Sequence, residues 1–195
     1  MQAESIVAGE RLFTFAIIAD SHVTEEEASA IGGYDVDTVR LGVARSRYVV
    51  QELNQLAPDF VVHLGDITHP EPGTPAYEES AARFHRVYDD LTCPLYLVPG
   101  NHDIGEKAFP GEPLFDQHAQ RTVNDAMIAE YERHFQAQYF SFEHEDCVFV
   151  VINGMIVNSG LACEEEQRVW LEGLLKANQD RRIYVFSHYP PYLSH

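Results

Sequence analysis

Three short apolar runs each end on residues able to hold a cation, and this arrangement constrains the fold more than any other feature of the chain. Residues 12–19, 60–64 and 95–98 are rich in aromatic and aliphatic side chains, many of them β-branched, and they stop at Asp20, at Gly65-Asp66 and at Pro99-Gly100-Asn101. Runs of this length and composition predict strands, the first of them buried on both faces. Val39, Val43, Tyr48, Val49 and Leu53 recur at helical spacing after Asp37, a predicted N-cap, as far as Leu56 ahead of Pro58. A second helix is predicted from Glu78 to Leu91. The order β-α-β-α-β implies a parallel sheet with right-handed crossovers. In such sheets ligand groups gather just past the carboxyl ends of the strands, so topology alone brings Asp20, Asp66 and Asn101 to one edge.

A helix is predicted at 123–135. Residues 139–142 and 148–152 read as a hairpin around the polar turn Glu143 to Asp146, which begins a second sheet or a mixed edge. Residues 164–178 form a predicted amphipathic helix with Val169, Trp170, Leu171, Leu174 and Leu175 inward. A strand at 183–186 then delivers Ser187-His188 to a loop whose exit Pro190-Pro191 stiffens. Residues 23–36 and 104–122 read as surface loops. No repeat or linker divides the chain, so residues 1–195 are expected to form a single domain.

With 31 Asp+Glu against 13 Lys+Arg, the 195 residues carry a formal net charge of −18, and 45% are hydrophobic. That is the composition of a globular domain with enough core to fold without disulfide staples. The acidic excess argues against a nucleic-acid groove, which needs clustered Lys and Arg, and against anionic membrane surfaces. The apolar run at 13–19 is far shorter than the roughly 20 residues that span a bilayer. Met1-Gln2-Ala3-Glu4 lacks the positive start of a secretory leader, and the mature chain is expected to begin here. Cys93, Cys147 and Cys163 are odd in number and widely spaced, as idle thiols of a reducing compartment are; a cytoplasmic location is expected. Oligomeric state has no signal.

Four segments carry chemistry. Asp20-Ser21-His22 presents a carboxylate and an imidazole from alternate positions at a strand end, and Gly65-Asp66 sets a carboxylate where glycine lets backbones approach. Gly100-Asn101-His102-Asp103 combines an amide oxygen, an imidazole and a carboxylate. Ser187-His188 adds a histidine after the last strand. The Asp20, Asp66 and His188 segments are weak alone, whereas Gly100-Asn101-His102-Asp103 is specific; in this order, each after a strand, the four resemble the calcineurin-like metallophosphoesterases. Gly100 to Gly105, Tyr139-Phe140-Ser141-Phe142 and the helix from Gln167 to Leu171 followed by His188 are similar to the branch holding class III cyclic-nucleotide phosphodiesterases and calcineurin-like domain-containing phosphoprotein phosphatases.

The resemblance implies a four-layer α/β/β/α sandwich and two divalent metal ions, manganese, iron or zinc. Asp20 and His22 would bind the first, Asn101 and His188 the second, Asp66 would bridge both, and His102 would be the general acid. It implies hydrolysis of a phosphate ester by a metal-bridging hydroxide, of phosphomonoesterase or phosphoprotein phosphatase type. One alternative is a cyclic-nucleotide or other phosphodiesterase; another is a non-catalytic scaffold or inactive fragment. The family pattern closes with a Gly-His-x-His segment that does not follow His188, so a fold incomplete at its C-terminal end is expected, more readily as a fragment than as a degenerate member. His69 stands three residues after Asp66, where many relatives carry an acidic residue that orients the catalytic histidine, and reads as a loop residue before Pro70. His63, His85, His118, His134 and His144 read as structural or surface residues.

Overall fold

The three runs do pair into one parallel sheet, in the order β1 (Phe15–Ile18), β2 (Phe60–His63), β3 (Leu95–Leu97). The computed structural model describes residues 11–24, 36–107 and 122–189. Most of the two loops expected at 23–36 and 104–122 lies outside the described residues, as do His118, Pro190, Pro191 and His195. β2 has a neighbour on each side, and all four of its residues are buried. Among the described residues β1 pairs only with β2, and its Ile17 is 51% exposed, so the expectation of a strand buried on both faces does not hold. Residue composition reports how apolar a strand is; its place in the sheet decides how much of it is covered.

The helices follow the predicted positions with shifted ends. α1 (Val36–Leu56) begins before Asp37, which therefore lies in the first turn and is not the cap. α2 (Tyr77–Tyr88) stops three residues short of Leu91. The Gly100-Asn101-His102-Asp103 segment winds into a single turn, α3 (Asn101–Ile104). α4 (Asp125–His134) starts after Asn124, whose side-chain oxygen accepts from the Ala126 and Met127 N–H groups at 3.1 Å each and so satisfies two donors a helix start leaves open.

A second sheet contains β4 (Phe140–His144), β5 (Cys147–Val151) and β6 (Arg182–Phe186), with β4 antiparallel and β6 parallel to β5. The sheets face each other across a largely aromatic layer: Phe60, Val62 and Val98 meet Phe149, Val151 and Phe186. The Phe15 and Phe60 rings stack at 5.1 Å, and Phe15 meets Tyr184 and Phe186 edge-on at 6.0 Å, which sets β1 over β6. Each fully buried aromatic here contributes about 1.5–3 kcal/mol. Val50, Phe84, Val87, Ile128 and Tyr131 of α1, α2 and α4 cover the outer face of the first sheet. α5 (Ala162–Ala177) covers the second through Trp170, Leu171 and Leu174. The result is the expected four-layer α/β/β/α sandwich. Val169 and Leu175, expected inward, are 56% and 39% exposed, because the buried stripe of α5 runs through 167, 170, 171 and 174 and leaves them on its flanks. Cys93, Cys147 and Cys163 are all free thiols.

Candidate metal centre

Past the ends of β1 and β2 the two chains stay zipped together. The Asp20, His22 and Val23 N–H groups donate to the Gly65, Asp66 and Ile67 carbonyls at 2.9, 3.0 and 2.9 Å. This ladder holds three non-glycine residues in the left-handed region, Asp20 at φ 57°, His22 at φ 39° and Asp66 at φ 54°. Such backbone costs about 1–3 kcal/mol per residue and persists where the surroundings enforce it. Two glycines let the loops close in. A Cβ on Gly65, itself at φ 108°, would stand 2.7 Å from the Gly100 nitrogen and 2.9 Å from His188 Nδ1, and one on Gly100 would overlap the Asp66 carboxylate.

His63 underlies both loops. The Gly65 N–H donates to His63 Nδ1 at 3.2 Å, which places the ring proton on Nε2; that proton goes to the Ser21 hydroxyl at 2.9 Å, and the hydroxyl donates to the Ile67 carbonyl at 2.9 Å. Complete burial, assisted by the nearby His188 and His22, depresses the His63 pKa to about 3 and keeps the ring neutral. His63 is the structural residue it was expected to be. Asp103 is a second such tie: its carboxylate accepts from the Ile67, Thr68 and Gly100 N–H groups at 2.9, 3.4 and 2.8 Å. Burial, then the charge of Asp66, push its pKa up to about 8 against the pull of those donors.

Above these ties the six predicted residues converge. His188, arriving from β6, gives its Nδ1 proton to the Leu64 carbonyl at 2.9 Å. Its other ring nitrogen, Nε2, lies 3.1 Å from Asn101 Oδ1 and 3.6 Å from Asp66 Oδ1. The Asn101 amide nitrogen is turned away, donating to Glu106 Oε1 at 2.9 Å, so its oxygen faces inward. Two oxygens and a ring nitrogen therefore face one point. Nitrogen and oxygen donors of this kind fit a divalent ion.

On the other side, His22 Nε2 is 3.5 Å from Asp66 Oδ2, and Asp20, His22 and Asp66 each offer a ligand atom within 4.8 Å of the others. Burial lowers the His22 pKa, more than offsetting Asp66, and so favours the neutral, metal-binding form. His102 donates its backbone N–H to Asp66 Oδ1 at 2.9 Å, and its ring meets that of His22 edge-on at 4.8 Å, with Nδ1 3.6 Å from Glu71 Oε1. Glu71 is thus an acidic side chain beside His102. His69 is more than a loop residue: it is buried, its ring 5.7 Å from that of His102, and His22, His69 and His102 form a second group of close ligand atoms. Glu71 and Glu106 went unrecognised in the sequence; an acid a few residues beyond a ligand was the only signal.

A two-sheet α/β/β/α fold with carboxylate, amide and imidazole groups gathered at its strand ends is the arrangement that the resemblance to metallophosphoesterases implies. The chain belongs to the calcineurin-like phosphoesterase family, whose model matches residues 13–195. It is 33% identical over 154 residues to the Bos taurus serine/threonine-protein phosphatase CPPED1, a match covering 74% of this chain and 44% of that one. Over 179 residues it is 25% identical to an Arcobacter nitrofigilis protein named "Probable glycerophosphodiester phosphodiesterase GpdQ", covering 89% of this chain and 56% of the other. Both lie in the branch the motifs resemble. The chain spans about half the length of the curated relatives it matches. Its fold is that of a dimetal phosphatase from Danio rerio, with a TM-score of 0.57 at 17% identity over 93% of this chain and 71% of that one.

Proposed function

We propose that this chain carries the hydrolytic centre of a metal-dependent phosphoesterase, with Asp20 and His22 holding one divalent ion, Asn101 and His188 a second, and Asp66 shared between them. The observation supporting this most strongly is the convergence of His188 Nε2, Asn101 Oδ1 and Asp66 Oδ1 on one point. Two ions so held would neutralise phosphate charge and acidify a water. Asp66 turns Oδ2 to His22 and Oδ1 to His188, so one carboxylate serves both halves. His102, held by its backbone bond to Asp66 and flanked by Glu71, is placed to hand a proton to the leaving oxygen. A chain of net charge −18 holds an anionic ester here because the strongest local field is that of the ions. The mixed ligand set suits manganese, iron or zinc.

The substrate reading is a phosphate monoester, as the phosphatase relative suggests; the diesterase relative makes a phosphodiester the second reading. Turnover of 4-nitrophenyl phosphate and bis(4-nitrophenyl) phosphate by the manganese-loaded chain tests both. Monoester hydrolysis that chelation abolishes is expected. A preference for the diester moves the assignment to a diesterase, and hydrolysis indifferent to chelation overturns the metal centre.

A further inference from the structure

A cavity of about 390 Å³ opens beside the proposed centre, between the end of β1 and the helix α1. Asp20, His22 and His69 are among its lining residues, so it adjoins the side chains proposed to hold and surround the ions. The interior is apolar where Ile18, Ala19 and Val49 line it. Ser46 and Tyr88 bring hydroxyls, but the Tyr88 hydroxyl hydrogen-bonds to those of Ser46 and Ser21, so these groups satisfy one another. Arg45 is the one cation among the lining residues, and no described residue forms an ion pair with it. A guanidinium beside this apolar surface suits a carboxylate or phosphate.

We propose that this cavity receives the alcohol portion of the ester, and that the centre acts on small-molecule phosphate esters whose alcohol is an apolar body bearing a second anionic group. The inference rests on the phosphoesterase reading and narrows its substrate. The volume falls in the range of small-ligand sites and accommodates a substituted ring. A phosphoserine side chain has a single methylene to offer and leaves the recess empty.

Binding of unreactive phosphonates to the manganese-loaded chain tests this without requiring turnover. Calorimetry is run with methylphosphonate, benzylphosphonate and 4-carboxybenzylphosphonate. Affinity is expected to rise along that series, by about tenfold or more between its ends. Val49→Phe, which fills the recess, should weaken the two benzyl probes at least tenfold and leave methylphosphonate within twofold. Arg45→Glu, at an exposed position that leaves the fold intact, should weaken 4-carboxybenzylphosphonate alone. Equal affinity for all three probes overturns the proposal, as does an Arg45→Glu loss shared by methylphosphonate, which would put the guanidinium on the phosphoryl group. Metal-dependent methylphosphonate binding without discrimination would break the cavity assignment alone. Failure of methylphosphonate to bind in a metal-dependent way would break the phosphoesterase reading and the inference with it.

Discussion

The two halves of the proposed centre share Asp66 yet are built differently. On the Asn101–His188 side each ligand atom is aimed by a partner on its far end: Leu64 takes the His188 proton and Glu106 takes the Asn101 amide. On the Asp20–His22 side the backbone is fixed by the ladder to β2, but Asp20 is exposed and His22 is only part-buried. The Asn101–His188 ligands are aimed through the Leu64 carbonyl and the Glu106 carboxylate before an ion arrives, while the ladder sets the backbone of Asp20 and His22. Preorganised ligands lose less freedom on binding, so the Asn101–His188 half should bind its ion more tightly.

The largest expected effect removes what the halves share. Asp66→Asn should take both ions with it and lower turnover by about 10³-fold, the scale of losing one group aimed at the reacting centre; metal analysis alongside kinetics checks this, and retention of two ions would separate the halves. His102→Ala should cost about 10²- to 10⁴-fold on alkyl phosphates with poor leaving groups and much less on 4-nitrophenyl phosphate. Equal losses on both would remove the proton-donor role. Glu106→Ala should turn the aimed half into one resembling the other, lowering its metal affinity by about 10- to 100-fold as read by calorimetry. If that affinity is unchanged, the difference between the halves has another origin.

The smallest effect concerns the ties beneath. Unfolded His63 takes up a proton below about 6.5, but the folded residue does so only near 3, so stability is lost as pH falls through that window. Asp103 acts in the opposite sense: its folded form keeps a proton up to about 8 while the unfolded one releases it near 3.8, so its contribution fades as pH rises between those values. The two oppose each other between about 4 and 6.5. Urea unfolding of metal-free protein should therefore show His63→Gln shallower than wild type in its acid loss, by about 1.4 kcal/mol per pH unit below 6.5. Parallel curves would show that His63 is not the buried neutral group that ties the loops.

Asp20, Asp66 and Asn101 were legible because a parallel sheet delivers whatever follows its strands to one edge, and His188 because it follows a strand in the same way. Glu71 and Glu106 were not, since the path of the chain through one turn of α3 and the loop after β2 chooses those partners, and neither leaves a period. His69 looked like punctuation before a proline; its burial against His102 is a tertiary fact. The exposure of Ile17 reflects sheet order, and that of Val169 and Leu175 the rotation of α5 about the buried Gln167, which binds the Asn153 backbone. Apolar composition locates elements well and their faces less well.

The central claim is a two-ion centre joined through Asp66, and the most direct measurement is metal uptake by the purified chain: manganese titration by calorimetry, with the bound ions counted by mass spectrometry. The account predicts two ions per chain, bound in a tighter and a weaker step, the tighter one lost in His188→Ala and both lost in Asp66→Asn. A single ion or none in the wild-type chain, or two ions that survive Asp66→Asn, would contradict it.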